Sequence, residues 1–249
     1  MGVMKENFKR NAHDTTFSPT GLYNFASGSL LTDSSGADPA KNLTENDAPL
    51  DEGDFIPNTA GGLSHFDYYR NSTTDFKHTG AMSFCCLFRT RANEPDSTGN
   101  QHYFVSFDGT GAAGPSMYAL QITKLGGTLP YEISYLHESS QGTYHRVNSD
   151  TTVPSNYEWH HLAFTRDSNG TGVKIYIDGT EIGSGTTSKA PGEDAAQNSG
   201  YFSLGAVYNL HTRLNSTFIQ ASCAIYDQEL SANQIKYLAR KTLGYHRVQ

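Results

Sequence analysis

Between residues 63 and 227 the sequence repeats one pattern, in which a short run rich in aromatic and β-branched residues is followed by a cluster of turn-forming residues. Such runs predict β-strands, and the Gly, Asn, Asp, Ser and Pro residues between them predict turns. Strand number and turn spacing together favour an antiparallel sandwich. The candidate strands are 63–69, 81–90, 102–108, 117–123, 131–137, 144–149, 158–166, 172–178, 201–208 and 218–227.

Length and composition fit one large domain. The chain has 249 residues, of which 36% are hydrophobic and 24 are glycine. This is enough apolar material for a single core, and all-β domains of this size commonly form one unit. Residues 1–20 are polar without periodicity, so we predict a loosely attached N-terminal arm there and a single domain over 21–249.

One helix is predicted close to the C-terminus, in the segment SANQIKYLARKTLG. Ser231 is the expected N-cap, and Gln234 follows three residues later, as in a capping box. Ile235, Leu238 and Ala239 form one apolar face, and Gly244 is placed to end the helix. We expect this helix to dock on the side of the β core.

Charge and hydropathy narrow the range of partners. The formal net charge is −7 and no stretch is dense in Lys and Arg, so we expect no nucleic-acid partner. No apolar run reaches membrane-spanning length, and the N-terminus lacks the apolar core of a secretory signal, so we expect no membrane insertion. After Glu229 the charged residues are all basic: Lys236, Arg240, Lys241 and Arg247. They are either cations placed favourably at the end of a helix or a small basic surface for an acidic partner.

The three cysteines do not form a disulfide framework, because their number is odd and two of them are adjacent. Cys85 and Cys86 fall within a predicted strand and should therefore point to opposite faces. We expect all three, Cys223 included, to be buried free thiols. No CxxC spacing exists, which argues against a metal site made of these cysteines.

The stretch YEWHHLAFTRDSNGTGVKIYIDGTEIGSG, residues 157–185, places two histidines beside the only tryptophan. On a strand His160 and His161 point to opposite faces and cannot share a metal ion, although one of them with a distant partner remains an open alternative. The turn DSNGTG and the dipeptide Asp178-Gly179 predict two successive hairpins, the second with a type I′ turn. The Trp159 indole is expected in the interior of the sandwich.

Two further motifs admit other interpretations. One is a calcium loop, since five residues match its spacing, but strands flank it and a hairpin explains the same residues. The other is a GxGxxG over 109–114, which Pro115 and a strand-like segment follow where a dinucleotide site needs a helix. A hairpin loop is therefore predicted there, without a cofactor. The calcium-loop residues are Asp167, Asn169, Thr171, Gly172 and Asp178.

Several motifs, taken in order, resemble those of laminin-G-like domains of the concanavalin-A-like lectin/glucanase family. Trp159 to Ala163, a turn, and then Lys174 to Gly179 are similar to its signature. TDSSG (32–36) resembles an early turn of that family, and SFCCLFRT (83–90) the strand that follows. YFSLG (201–205) and IYDQELSANQIKYLA (225–239) resemble its closing strand and helix. The resemblance covers about residues 21–240.

This resemblance implies an all-β fold, a two-sheet antiparallel jelly-roll sandwich with a short C-terminal helix. Such domains bind glycans or proteins through rim loops, often beside calcium. Asp33 matches an acidic position near that ion, but Ala221 and Ser222 stand where the family often has an acidic pair. We therefore expect no cofactor, with calcium the one that the resemblance leaves open.

Catalysis is not expected, because no predicted strand carries two acids on one face, as polysaccharide hydrolases of this superfamily require. Aromatic residues beside polar ones suit recognition of a sugar or a protein. The segments FDYYRNS (66–72) and YNLHTR (208–213) show this arrangement. The candidate binding residues are Tyr68, Tyr69, Arg70, Tyr208, His211 and Arg213.

A recognition fold without an export signal or disulfides suits a virus particle, which assembles inside the cell. We therefore predict a non-enzymatic virion surface component, a capsid decoration protein or tail appendage of a phage. Its partners would be other virion proteins or copies of itself, together with host glycans at the outward loops. The alternatives are a soluble carbohydrate-binding lectin, which would be extracellular, and a polysaccharide-cleaving enzyme.

Overall fold

The computed structural model describes residues 13, 15–24, 33–36, 44–46, 68–71, 76, 78–90, 101–109, 118–124, 131–140, 143–153, 158–191, 200–204 and 218–244. Within these ranges lie thirteen strands and one helix, and this helix is too short and too polar to cross a membrane. The strands are β1 (Gly21–Asn24), β2 (Thr44–Asn46), β3 (Tyr68–Asn71), β4 (Met82–Thr90), β5 (Gln101–Gly109), β6 (Tyr118–Lys124), β7 (Tyr131–Ser140), β8 (Thr143–Asn148), β9 (Trp159–Arg166), β10 (Gly172–Ile177), β11 (Thr180–Thr186), β12 (Gly200–Leu204) and β13 (Phe218–Tyr226), and the helix is α1 (Ala232–Gly244).

The strands form two sheets. The six-stranded sheet has the order β1-β13-β4-β9-β10-β11, and the seven-stranded sheet has the order β2-β3-β12-β5-β6-β7-β8. Every strand pairing in the described ranges is antiparallel. The predicted two-sheet antiparallel sandwich with a C-terminal helix is confirmed.

The main core lies between the sheets, and most of the strands with described side chains contribute alternate residues to it. On β10, Val173, Ile175 and Ile177 supply one such row, as their spacing predicts. Aromatic rings join the two sheets. Phe88 on β4 meets Phe104 on β5 with ring centroids 4.9 Å apart. Each ring of this size removes enough apolar surface from water to stabilise the fold by about 1.5–3 kcal/mol.

Helix α1 covers the outer face of the six-stranded sheet and forms a second apolar cluster with it. Ile235 and Leu238 pack there with Ala163 and Tyr176 of the sheet. The predicted capping box is confirmed. The Ser231 hydroxyl accepts a hydrogen bond from the Gln234 backbone N–H at 3.3 Å, and the Gln234 side-chain oxygen accepts one from the Ser231 backbone N–H at 2.8 Å.

The position of Trp159 differs from the prediction. The indole is partly buried and packs against Leu87 and Leu243, outside the space between the sheets. Alternation along β9 explains this, because Trp159 shares its face with Ala163, which lies under α1. Phenylalanine and tyrosine rings fill the interior in place of the indole.

The end of the predicted arm is packed against the domain and is not loose. The Thr20 backbone N–H donates to the Ile225 carbonyl oxygen at 2.7 Å, just before β1 pairs with β13. Phe17 packs on the second apolar cluster, and its carbonyl oxygen accepts a hydrogen bond from the Gln228 amide at 2.8 Å. Residues 17–20 are therefore attached to the six-stranded sheet and to the apolar cluster on its outer face.

All three cysteines are buried free thiols, as predicted. Cys86 and Cys223 belong to the core between the sheets, whereas Cys85 belongs to the cluster under α1. Cys85 and Cys86 thus lie on opposite faces of β4. Burial raises the pKa of each thiol well above its usual value, so the thiols of Cys86 and Cys223 are poor nucleophiles.

Candidate functional site

The two neighbouring histidines of β9 lie on opposite faces, as predicted. His160 packs beside Phe88 of the inner core, with ring centroids 6.0 Å apart, and its Nδ1 lies 2.8 Å from an Asp178 carboxylate oxygen. His161 lies on the outer face, where its ring centroid is 5.3 Å from that of His13. Burial, and to a smaller extent His13, lowers the pKa of His161 well below its usual value.

Asp178 begins the predicted type I′ turn, with φ of 52° followed by 79° at Gly179. Its carboxylate accepts a hydrogen bond from the backbone N–H of His161 at 2.9 Å. Asp178 and Asp167 stand at opposite ends of β10, and its six residues span about 20 Å at the usual rise of a strand. Asp167 and Asp178 are therefore too far apart to bind one ion together, and these residues form the predicted hairpins.

Asp33 is held by the backbone around it. One carboxylate oxygen accepts hydrogen bonds from the backbone N–H of Leu22 at 3.0 Å and of Ser35 at 2.9 Å. The side chain is 7% exposed. This arrangement ties the turn at residues 33–36 to β1. Ser222, at one of the positions where the family often has an acid, bonds to His13.

Three of the residues that sequence analysis selects for binding are on a strand of the seven-stranded sheet, whereas Asp33 is bonded to β1 of the six-stranded sheet. Tyr68, Tyr69 and Arg70 are on β3, where Tyr69 pairs in register with Leu204 and Arg70 with Ser203. Leu204 belongs to the core between the sheets, and Ser203 does not. Successive residues of β3 therefore occupy positions on different faces of the seven-stranded sheet. Tyr208, His211 and Arg213 lie outside the described residues.

A shallow groove of about 390 Å³ lies at the edge of the six-stranded sheet, on the outer face of β10 and β11. The segment between β13 and α1 contributes one of its walls. Most of its lining side chains are polar, which distinguishes it from the apolar surface under α1. The lining residues are Asp167, Gly172, Val173, Lys174, Ser184, Gly185, Thr186 and Glu229.

The turn between β9 and β10 fixes one end of this groove. Asp167 closes the turn, because one of its carboxylate oxygens accepts the Thr171 backbone N–H at 3.0 Å. Its backbone N–H donates to the Gly172 carbonyl oxygen at 2.9 Å. A Cβ atom at Gly172 would lie 2.6 Å from the other carboxylate oxygen of Asp167. Glycine at that position therefore leaves room for the carboxylate at the groove.

The floor of the groove is made by short side chains on the edge strand β11. Lys174 pairs in register with Ser184, and Gly172 pairs with Thr186, so these positions share one face. Lys174, Ser184 and Thr186 are all exposed. The ammonium group donates hydrogen bonds, the two hydroxyl groups donate and accept, and the carboxylates of Asp167 and Glu229 accept. Such a set matches a ligand rich in hydroxyl groups.

The lining residues are poorly suited to covalent chemistry. They include neither a histidine nor a cysteine, so no activated nucleophile of the Ser–His or Cys–His type can form from them. The two carboxylates come from separate segments and not from one strand.

A family model described as the concanavalin A-like lectin/glucanases superfamily, of laminin-G type, matches residues 63–236. The match spans most of the chain. The chain belongs to this superfamily. The laminin-G-like resemblance drawn from motifs is thus confirmed, and the groove lies within the matched residues of a lectin-type jelly roll.

Solved structures of botulinum neurotoxin domains share the fold. The receptor-binding domain of serotype D has a TM-score of 0.63 at 14% identity, covering 92% of this chain and 54% of that one. The serotype D ligand-binding domain in complex with N-acetylneuraminic acid has a TM-score of 0.59 at 15% identity, covering 91% and 51%. A structure of botulinum neurotoxin type C, from work on cell entry that depends on two ganglioside molecules, has a TM-score of 0.61 at 12% identity. It covers 91% of this chain and 52% of that one.

The concanavalin A-like chain thus spans about half the length of each of these neurotoxin structures. No curated protein matches it at a significant level. At such low identities the likeness concerns the fold alone. The residues of the groove must therefore be interpreted from their own chemistry.

Sequence reasoning placed Asp167 in a turn but did not select Lys174, Ser184, Thr186 or Glu229. One signal was available. Gly183 and Gly185 alternate within the strand TEIGSGT, and glycine inside a strand often marks a close approach of backbone or ligand. No signal in a single sequence links this strand to Glu229, which reaches the groove from a distant segment.

Proposed function

We propose that this protein is a non-enzymatic, lectin-like binding protein that holds a neutral glycan in the groove between β11 and the start of α1. The observation that carries this proposal is the open set of five polar side chains on a laminin-G-like sandwich. Two carboxylates face one ammonium group in this set, so an anionic sugar would be repelled. The ligand class is therefore neutral and rich in hydroxyl groups.

The neurotoxin structures support glycan recognition at the level of the fold. One of them is a complex with N-acetylneuraminic acid, and another comes from work on gangliosides. Since this chain matches about half of each structure, those ligands need not lie in the shared half. We propose recognition of a glycan for this chain as well, with a preference that differs from a sialylated ligand.

The cellular setting that we propose is the surface of a virus particle, with host glycans as the outer ligand. The three free thiols suit a protein that folds in a reducing compartment. A recognition fold made there and used outside the cell fits a particle that assembles internally. Other virion proteins or further copies of the chain would be its attachment partners. Co-purification with assembled particles tests this setting, and its absence from them would contradict it.

The decisive experiment for the groove is a glycan array followed by calorimetric titration of the best ligand. Lys174→Met removes one charged donor, which is worth about 1.5–3 kcal/mol, or about a ten- to hundredfold weaker Kd. Lys236→Met, at an exposed position of α1 outside the groove, is the matched control and should bind like the wild type. Equal affinity of the two variants would rule out the groove as the site.

Two alternatives have distinct outcomes in the same experiment. The residues on β3 and beyond it (Tyr68, Tyr69, Arg70, Tyr208, His211 and Arg213) become the site if their replacement by alanine abolishes binding while Lys174→Met does not. Release of reducing ends from the bound polysaccharide, lost in Asp167→Asn and Glu229→Gln, would show an enzyme. Calcium at Asp33 would show as loss of binding on adding a chelator; we expect binding to persist.

A further inference from the structure

A buried cluster of side chains that can bind a metal ion lies on the outer face of the six-stranded sheet. Its residue types differ from those of the polar groove. His13 is 2% exposed, and Cys85 and His161 are fully buried. Each offers one ligand atom, and these three atoms all lie within 4.8 Å of one another. Three distant parts of the sequence supply them: the segment before β1, strand β4 and strand β9.

The sheet register sets two of the three side chains. Cys85 pairs with Ala163, and Leu87 pairs with His161, so Cys85 and His161 are diagonal neighbours on the face that α1 covers. Ala163 packs under α1 with Cys85. The backbone N–H of His161 is fixed by the Asp178 carboxylate. These restraints hold the thiol and the imidazole side by side before the third residue is added.

The His161 ring is the feature that calls for a ligand. Within the described part of the chain neither of its ring nitrogens has a hydrogen-bond partner, although the side chain is fully buried. Buried polar side chains in native proteins nearly always have a partner, and an exception commonly marks a water or an ion. A metal ion bound to one nitrogen would satisfy this ring.

One ring nitrogen of His13 has a hydrogen-bond partner, as one nitrogen of a metal-binding histidine usually does. Its Nδ1 lies 2.9 Å from the hydroxyl oxygen of Ser222, itself buried. When Nδ1–H donates to that oxygen, Nε2 carries the lone pair. A hydrogen bond from the second ring nitrogen is the common way in which proteins fix the tautomer and direction of a histidine ligand.

We propose that His13, Cys85 and His161 form a buried site for a thiophilic metal ion, Zn²⁺ or Cu⁺, which fastens the N-terminal segment to the six-stranded sheet. Two imidazoles and one thiolate are the donors that both ions prefer. On binding, the Cys85 thiol releases its proton to solvent as the sulfur–metal bond forms. Zn²⁺ would add a fourth ligand, whereas Cu⁺ is satisfied by three and is neutralised by the single thiolate.

The geometry needs only a modest contraction. Bonds of about 2.0–2.3 Å around one ion place ligand atoms about 3.3–3.8 Å apart, and the present separations are at most 4.8 Å. His13 is the one of the three residues that does not lie on a strand, so no sheet register fixes its position. Burial closes the site to substrates, so its role is structural.

The test uses the full chain, unfolded in chelator and refolded anaerobically with Zn²⁺ or with Cu⁺, and then desalted. Mass spectrometry of the metal content should give one equivalent per chain. Cys85→Ala should lose it, whereas Cys86→Ala, the adjacent buried thiol on the opposite face, should keep it. The proposal would be overturned if both variants kept the metal. It would also be overturned if the wild-type chain bound less than one equivalent of metal with Zn²⁺ and with Cu⁺.

A second measurement remains informative if Cys85→Ala does not fold. Co²⁺ taken up by the wild-type chain should give a sulfur-to-metal charge-transfer band that is absent in His13→Ala, whose position lies outside the sheets. The metal should also raise the Tm of the wild-type chain and of Cys86→Ala but not that of His13→Ala. A Co²⁺ spectrum without thiolate ligation would contradict the assignment of Cys85.

Discussion

His137 is a fully buried histidine on β7 with an unusual environment for a titrating group. Its Nε2 lies 2.9 Å from the Lys189 carbonyl oxygen, and its ring centroid is 5.0 Å from that of His145 on β8. Burial lowers the pKa of His137 to about 4, Arg166 and His145 act in the same direction, and the bond to Lys189 opposes them. The neutral imidazole is therefore part of the folded structure at neutral pH.

This environment predicts a loss of stability in mild acid. The unfolded chain takes up the His137 proton at a pKa of about 6.5, before the folded chain does, so the contribution is present above that pH and is lost between 6.5 and 4. At about 1.4 kcal/mol per pKa unit, the unfolding free energy should fall by about 2 kcal/mol from this residue between pH 7 and pH 4.5. Urea titrations at the two pH values measure this fall in the unfolding free energy. In His137→Gln the fall should be smaller than in the wild type by about 2 kcal/mol. An equal fall in both proteins would contradict the assignment.

At the scale of elements, the turn between β10 and β11 is fitted to the helix. Gly179 has φ of 79°, and a Cβ atom there would lie 2.8 Å from the Lys236 Cα atom and 3.3 Å from the Ala239 Cβ atom. A side chain would thus meet the backbone of α1, which is a rigid neighbour. The hairpin and the helix can approach so closely only because this turn ends in glycine.

Gly179→Ala should therefore destabilise the protein by about 2–4 kcal/mol, combining backbone strain with displacement of α1. Gly36→Ala is the matched control, because Gly36 has φ of 81° and a Cβ atom there would meet nothing within 4 Å among the described residues. Gly36→Ala should lower the unfolding free energy by about 1 kcal/mol, because the left-handed backbone conformation is unfavourable for alanine and no described atom clashes with its Cβ. Urea unfolding midpoints of the two variants measure the difference. Equal losses of stability in the two variants would show that α1 can move away from the new side chain without destabilising the protein.

The local sequence is sufficient to predict the central strands and the helix. It is not sufficient to predict the short strands or the contacts between distant segments. Strands β9 and β10 and helix α1 follow from periodicity, caps and the Asp-Gly turn, all of which act within a few residues. Strands β1 and β2 have four and three residues, too few for a period, and arise from pairing with β13 and β3. The groove and the His13 cluster depend on contacts between distant segments, which alternation in one strand cannot reveal.

At the scale of the whole molecule, the two sheets are joined along one edge by β8 and β11. The Asp150 backbone N–H, just after β8, donates to the Ile182 carbonyl oxygen of β11 at 2.6 Å. Gly183 faces this seam so closely that a Cβ atom would lie 2.5 Å from the Asn148 carbonyl oxygen and 2.8 Å from the Ser149 Cα atom. The backbone of one sheet thus touches that of the other, with no side chain between them.

Gly183→Ala should force this seam apart and cost about 3 kcal/mol, at the upper end of the range for overpacked sites, since the atoms that it meets belong to the backbone. Gly185→Ala is the control on the same strand. The atoms nearest to its Cβ would be the two methyl groups of Val147, at 3.1 and 3.2 Å, which can shift, so we expect a loss below about 1 kcal/mol. Urea unfolding gives the two losses. Hydrogen exchange should locate the effect of Gly183→Ala in the amides of β8 and β11, with β4 and β9 unchanged. Equal losses in the two variants, or exchange that rises uniformly, would mean that the sheets are held together elsewhere.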